Sequence, residues 1–374
     1  MVMNQLIISG TNSYKEAALL LKQVESKKFL LVCSSSSSFI NIIDYLSNLN
    51  IDHIQFNQFT SNPLYDDVCK GVDLFKKEKC DAIIAVGGGS TIDVAKCIKL
   101  FCKLNPMQNY LTQKFEDSTI PLIALPTTAG TGSESTRYAV LYYKGNKQSI
   151  THDSIMPNYA ILDPCVLKTL PPYQKKCTML DALCQAIESW WSVRSTDESK
   201  CYSKIAVELI MQYKDAYIYN NDDKAAALIM LASNYAGRAI NIAETTAPHA
   251  MSYKLSTMYK LPHGHAVAVC FSEVLRYMIE NMQNMQKCVD TRGKAYLQRV
   301  LSDIAGVFRC DNISELINKF NSILIELGIS RPNSLHRIED IDLLVKSVNP
   351  IRLRNNPIVL DTDALLHLYE RIVL

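Results

Sequence analysis

The chain has 374 residues, 48% of them hydrophobic, which is enough for two ordinary domains and excludes a small fold held together only by disulfides or a metal. Lys plus Arg number 39 against 37 Asp plus Glu, a net charge of +2, so nothing in the balance points to nucleic acid as a partner. Charged residues make up 20%, and 13 glycines and 13 prolines are too few for a linker-rich or disordered chain.

In the first half, short apolar runs alternate with amphipathic stretches, the pattern of an α/β unit with a mostly parallel sheet. Residues 29–33, 51–56, 82–86 and 121–125 read as strands, and 39–49, 65–79 and the stretch from 90 to about 101 as helices. From about 163 the period becomes helical, with helices expected at 172–193, 197–213, 224–240, 250–258, 271–282, 293–308, 313–327, 338–347 and 362–372. A boundary at that point divides the chain into 1–163 and 164–374. The 12 cysteines form no CxxC pair, and Cys69, Cys97, Cys102 and Cys270 sit inside apolar patterns, so they read as reduced and mostly buried. No basic, apolar leader opens the sequence and no run of about 18 apolar residues occurs, so a cytoplasmic protein without membrane contact is expected.

Two loops suit phosphates. The first is GGGS, Gly87, Gly88, Gly89 and Ser90, which follows a strand and opens a helix whose first turn, Ser90 to Asp93, resembles a capping box with Asp in place of Glu. Glycines let backbone amides approach an anion, and a helix N-terminus adds free N–H groups and a positive dipole end. The same four residues also read as a plain strand-to-helix turn, and the GxGxxG fingerprint is absent. The second loop, PTTAGTGSE at 126–134, adds the hydroxyls of Thr127, Thr128, Thr131 and Ser133. Two such loops at the carboxyl ends of strands in one sheet point to a dinucleotide more strongly than either alone. The five serines from Ser34 to Ser38 read as a solvated turn that falls where a cofactor ribose would lie.

Asp181 and Gln185 are four apart on an expected helix and share a face, which also describes an ordinary surface pair. His249, His263 and His265 are three of only seven histidines. One Asp with two or three His suits a divalent metal; helix-end histidines bonded to backbone carbonyls are the plainer alternative.

GGGSTIDVAK at 87–96, PTTAGTGSE at 126–134, LDP at 162–164, DALCQAIE at 181–188, PHG at 262–264 and NNP at 355–357 resemble, in this order, the iron-containing (group III) alcohol dehydrogenase family. The resemblance implies a Rossmann-like dinucleotide-binding α/β domain at 1–163 and an all-α metal-binding and substrate domain at 164–374, the architecture shared with dehydroquinate synthase. It implies Asp181, His249 and His263 as metal ligands, with Gln185 where the family has a histidine. An amide oxygen is a weaker and harder donor than imidazole, so Fe2+ and Zn2+ both stay open. A second family histidine is replaced by Tyr253, a proton donor that needs help from a nearby cation or metal. Cofactor-binding roles fall on Ser34, Gly87, Gly88, Gly89, Ser90, Asp93, Thr127, Thr128, Thr131, Ser133 and Lys147. Because Ser34 stands where an NAD-selecting aspartate would, NAD(H) and NADP(H) are equal expectations.

The implied chemistry is hydride transfer to a metal-polarised aldehyde, with the alkoxide protonated through water, Tyr253 or His265. The wording around His249 and His263 is most similar to the phosphonoacetaldehyde reductase branch, which forms 2-hydroxyethylphosphonate. A small anionic aldehyde needs fixed cations beside the metal, and Arg137, Lys254, Arg194 and His265 are the candidates. Trp190 and Trp191 are expected to pack their helix between the domains. A homodimer or higher homo-oligomer is expected. The alternatives are a general short-chain alcohol, diol or glycerol-type dehydrogenase, and a non-catalytic nucleotide-binding protein whose metal site has decayed.

Overall fold

The computed structural model describes residues 5–34, 39–284, 286–332 and 338–374. The chain divides into two compact units, Met1–Leu170 with Asn221–Asn234, and Pro171–Asn220 with Tyr235–Leu374. The first unit therefore continues past residue 163 and takes in part of a later helix.

Among the described residues, that first unit holds eight strands: β1 (Leu6–Ser9), β2 (Lys28–Cys33), β3 (Asp52–Phe56), β4 (Ala82–Gly87), β5 (Leu122–Pro126), β6 (Tyr138–Tyr143), β7 (Asn146–Thr151) and β8 (Tyr159–Leu162). Six of them form a wholly parallel sheet in the order β1-β8-β5-β4-β2-β3. The inner strands β2, β4 and β5 are buried almost throughout, which is why they stand out as unbroken apolar runs. The sequence reading missed β1 and β8, which are only four residues long. It also missed the β6–β7 hairpin, whose two-residue turn, Lys144 and Gly145, has φ of 50° and 76°, as a type I′ turn requires.

From β2 the chain moves outward to β3, then returns to pair β4 on the other side of β2. Such a reversal opens a crevice beyond the carboxyl ends of the two strands it separates. Cys33 pairs with Val86 and Gly87 with Pro126, so Ser34 and both glycine/hydroxyl loops leave the sheet at this one place. Helices α1 (Ala17–Gln23), α2 (Ile40–Ser47), α3 (Tyr65–Lys77) and α4 (Gly89–Phe101) lie in the same unit. Val68, Val72 and Phe75 of α3 and Ile92, Ala95 and Ile98 of α4 pack on Leu30, Ile83 and Ala85 of the sheet.

Helix α4 starts earlier than the capping-box reading implied. Its cap is Gly88, with no side chain capping the first turn, and Asp93 is turned inward. Asp93 accepts from Ser133 Oγ at 2.6 Å and from the Val140 backbone N–H at 3.0 Å. Lys96, fully buried, donates to Ser133 Oγ and Thr136 Oγ1, each at 3.0 Å, and to the Tyr138 carbonyl at 2.8 Å. Burial pushes the Asp93 carboxyl up and the Lys96 amine down to about 8, the penalties each charge pays for leaving water.

The second unit is helical: α5 (Pro172–Trp191), α6 (Asp197–Tyr219), the last part of α7 (Asp223–Ala243), α8 (Ala247–Tyr259), α9 (His263–Asn281), α10 (Lys294–Val307), α11 (Ile313–Leu327), α12 (Ile338–Ser347), α13 (Pro350–Leu353) and α14 (Thr362–Val373). The expectation of a helix from 271 is corrected: α9 starts at His263, capped by Pro262. Its first turns carry no amphipathic period because 264–275 are buried all round. Trp191 is buried within this unit, stacked on Phe271 at 5.1 Å. All 12 cysteines are free, and Cys201 is exposed.

Lys96→Met would leave Asp93 buried without its cation, a loss on the order of 3–5 kcal/mol. Urea unfolding of the variant should show a clearly lower midpoint; an unchanged midpoint would mean the network carries no stability.

Candidate active site

In the sheet unit, the two loops pack on each other. A Cβ on Gly89 would meet Thr131 Cγ2 and Oγ1 at 2.8 Å, and one on Gly87 would meet Thr91 Oγ1 at 2.3 Å, so neither position has room for a side chain. Gly88, Gly89, Ser90, Thr128, Thr131 and Ser34 are half-buried around the uncapped start of α4, as an anion cradle needs. Thr127 is buried and its N–H bonds the Gly87 carbonyl at 3.0 Å. Asp93 and Ser133 need correction as cofactor ligands: they are buried and bonded to each other, and they hold the second loop to α4. Lys147, on β7, is close enough to Asp93 to oppose the rise in its pKa. Lys96 belongs to the same network; its place three residues after Asp93 in a largely apolar helix is the signal that could have revealed it. The rest of the serine run, residues 35–38, lies outside the described residues.

In the helical unit, Asp181, Gln185 and Glu188 lie at i, i+4 and i+7 on α5, all buried. Helix α8 ends at Lys260 in the left-handed conformation, and the chain turns through Pro262 into α9. That return brings His249 and His263 together with ring centroids 5.5 Å apart. Gly264 lets α9 approach α5: a Cβ there would lie 1.9 Å from the Cys177 carbonyl oxygen. Ligand atoms of Asp181, His249 and His263 consequently all lie within 4.8 Å of one another.

Burial opposes ionisation of Asp181, yet His263, His249 and a hydrogen bond from Gln185 hold its carboxyl below the usual range. Burial likewise favours neutral His249, but Glu188 and Asp181 outweigh it and push this imidazole up to about 9. His249 Nδ1 donates to Glu188 Oε1 at 2.5 Å, leaving Nε2 on the Asp181 side at 3.3 Å. Glu188 also accepts from the Thr246 N–H at 2.7 Å and Thr246 Oγ1 at 3.0 Å, and Trp191 Nε1 donates to that same hydroxyl at 2.9 Å. This is the carboxylate–histidine pairing that orients metal ligands. The sequence reading gave Glu188 no role, although it follows Asp181 at helical spacing.

Gln185 Oε1 is buried and has no hydrogen-bond partner among the described residues. An unpaired buried acceptor costs about 1–3 kcal/mol, and a cation beside Asp181 would satisfy it. Two oxygens and two imidazole nitrogens form a donor set that suits Fe2+ or Zn2+. The residues present therefore fit a divalent metal.

The remaining candidates divide. Tyr253 stacks on His263, with centroids 5.7 Å apart and rings within 5° of parallel. His265 as a proton donor is corrected: its Nε2 donates to the Ser330 carbonyl at 2.7 Å, so Nδ1 accepts from Tyr173 OH at 2.6 Å and the neutral ring is fully used. Arg137 is paired with Asp153 at 3.3 Å, Arg194 is paired with Glu244, and Lys254 is exposed. A cation that the sequence reading missed does reach the cluster's edge: Arg352 donates to Tyr253 OH at 3.0 Å.

Loops that suit a dinucleotide and a cluster that suits a divalent metal are together the parts of a metal-dependent dehydrogenase. Residues 4–164 match the model of the iron-containing alcohol dehydrogenase family, and 176–373 match its C-terminal model. The chain belongs to that family and is an oxidoreductase. It is 29% identical to the NAD-dependent methanol dehydrogenase of Bacillus methanolicus, over 94% of this chain and 93% of that protein. It is 31% identical to the phosphonoacetaldehyde reductase of Streptomyces viridochromogenes, over 77% of this chain and 75% of that protein. The structure of sulfoacetaldehyde reductase from Bifidobacterium kashiwanohense with NAD+ superposes with a TM-score of 0.86 and 25% identity, covering 100% of this chain and 99% of that one. No described helix is long and apolar enough to cross a membrane.

Glu188→Gln should weaken Zn2+ binding about 10–100-fold in a competition titration, because the His249 ring loses its orienting carboxylate. A protonated His249 must also release its proton to bind metal. Apparent Zn2+ affinity should therefore rise about tenfold per pH unit between about pH 6 and 8, below the pKa of about 9. A flat profile would show that His249 is not a ligand.

Proposed function

We propose that the enzyme reduces a short anionic aldehyde to its primary alcohol, with phosphonoacetaldehyde giving 2-hydroxyethylphosphonate as the favoured reaction. The observation that carries the metal-dependent part is the buried, unpaired Gln185 Oε1 beside three convergent ligands. Support for an anionic substrate comes from the similarity to a phosphonoacetaldehyde reductase and to a sulfoacetaldehyde reductase.

When bound, a reduced nicotinamide supplies hydride for the carbonyl carbon, and Fe2+ or Zn2+ held by Asp181, Gln185, His249 and His263 supplies Lewis acidity at the carbonyl oxygen. Gly88, Gly89, Ser90, Thr128 and Thr131 bind the cofactor phosphates, and Ser34, lacking a carboxylate, accepts either NADH or NADPH. Glu188 keeps the proton on Nδ1 of His249, so that Nε2 stays available within the cluster. The Tyr253 phenol gives its proton to the developing alkoxide, while Arg352 stabilises the negative charge left on the phenol oxygen. The enzyme acts in the cytoplasm as a homo-oligomer, on a small molecule and without nucleic acid or membrane partners.

Purified protein loaded with Fe2+ or Zn2+ should oxidise NADH or NADPH with phosphonoacetaldehyde at a kcat/KM well above that for acetaldehyde or propanal. No phosphonoacetaldehyde turnover, alongside good turnover of the uncharged aldehydes, would sink the substrate assignment and favour a general short-chain dehydrogenase.

A further inference from the structure

Several arginines of the helical unit are bonded to carboxylates. Arg276, Arg331 and Arg371 share the buried carboxylate of Glu273, Arg292 is held by Asp290, and Arg194 by Glu244. Arg352 has no carboxylate partner among the described residues, nor has Arg238, which lies over the rings of Tyr202 and Tyr235; the polar contact of Arg352 is the phenol oxygen of Tyr253, beside the metal-cluster residue His263. A guanidinium carries five N–H donors in a planar fork, and Tyr253 takes one. The fork lies against the Tyr253 ring, with Cζ 5.4 Å from the centroid, and that ring stacks on the metal-cluster residue His263.

Arg352 is also held in position. It lies on α13, whose N-terminus is capped by the Asn349 side chain accepting from the Ile351 N–H at 2.9 Å. A half-buried arginine with a fixed backbone, an aromatic face against it and no carboxylate keeps its charge and most of its donors for a ligand. The ligand it matches is a tetrahedral oxyanion, which a planar fork grips through two parallel hydrogen bonds.

We propose that Arg352 anchors the anionic group of the substrate, a phosphonate or sulfonate, and so determines the preference for charged over uncharged aldehydes. This rests on the anionic-aldehyde reading above. The sequence candidates for that task, Arg137 and Lys254, do not compete: one is spent on Asp153, and the other is exposed one residue beyond Tyr253 on α8.

The test compares wild type, Arg352→Ala and Arg352→Lys, each loaded with metal and nicotinamide, on phosphonoacetaldehyde, sulfoacetaldehyde and propanal. In Arg352→Ala the ratio of kcat/KM for a charged aldehyde to that for propanal should fall about thirtyfold, carried by KM, and Arg352→Lys should recover part of it. Whichever charged aldehyde loses more identifies the oxyanion. Equal loss on charged and uncharged aldehydes, with the alkaline limb of the pH profile displaced, would overturn the proposal in favour of a role through Tyr253 alone. Calorimetric binding of ethylphosphonate to the metal-loaded proteins gives a readout without turnover, and Arg352→Ala should bind at least about tenfold more weakly. If wild type binds ethylphosphonate, Arg352→Ala loses it and phosphonoacetaldehyde is still not reduced, the anchor stands and the substrate assignment falls. If wild type fails to bind it, or both proteins bind it equally, the anchor falls.

Discussion

Three polar side chains on one face of α5, Asp181, Gln185 and Glu188, are taken out of water with the helix, and the metal cluster follows from the need to satisfy them. Glu188 is satisfied by His249 Nδ1 and by Thr246, which fixes the imidazole orientation. Asp181 is satisfied by the two histidines that this orientation and the turn at Lys260 bring to it. Gln185 is the remainder, with an oxygen that no described protein group answers. Replacing imidazole by an amide at that position changes the donor, but it leaves a buried acceptor directed at the same need.

The sheet unit solves a similar problem in the opposite way. Its buried charges, Asp93 and Lys96, neutralise each other through Ser133 and so consume their own hydrogen-bonding capacity. What they position is left open: loop backbone and the hydroxyl of Thr128 at the end of the sheet. Interior charge serves as scaffold in this unit, whereas in the helical unit it gathers around the candidate metal site. The difference is one of completeness: the Asp93–Lys96 pair on α4 is satisfied, whereas on α5 the Gln185 Oε1 acceptor has no partner among the described residues.

The same distinction separates the candidate cations. Arg137, Arg194 and the three arginines on Glu273 look alike in sequence to Arg352, but each of them is bonded to a carboxylate and, among the described residues, Arg352 is not. An aromatic partner occupies a guanidinium without neutralising it, so Tyr253 holds Arg352 in place and leaves its charge available.

Much of this was legible from residue order. Fully buried strands and long amphipathic helices advertise themselves by period, and the two glycine loops by composition, because both signals are local. The metal set was legible as residue types, and its family assignment came from motifs in order along the chain. The four-residue strands β1 and β8, the hairpin and the all-round-buried start of α9 carry no such period and went unseen. Nor could residue order say that Asp93, Ser133 and His265 are spent on other protein groups while Arg352 and Gln185 Oε1 are not paired with a carboxylate or a donor. A motif specifies which groups are present; whether a group still has a free lone pair, proton or charge depends on what the fold packs against it, and that is decided only in three dimensions.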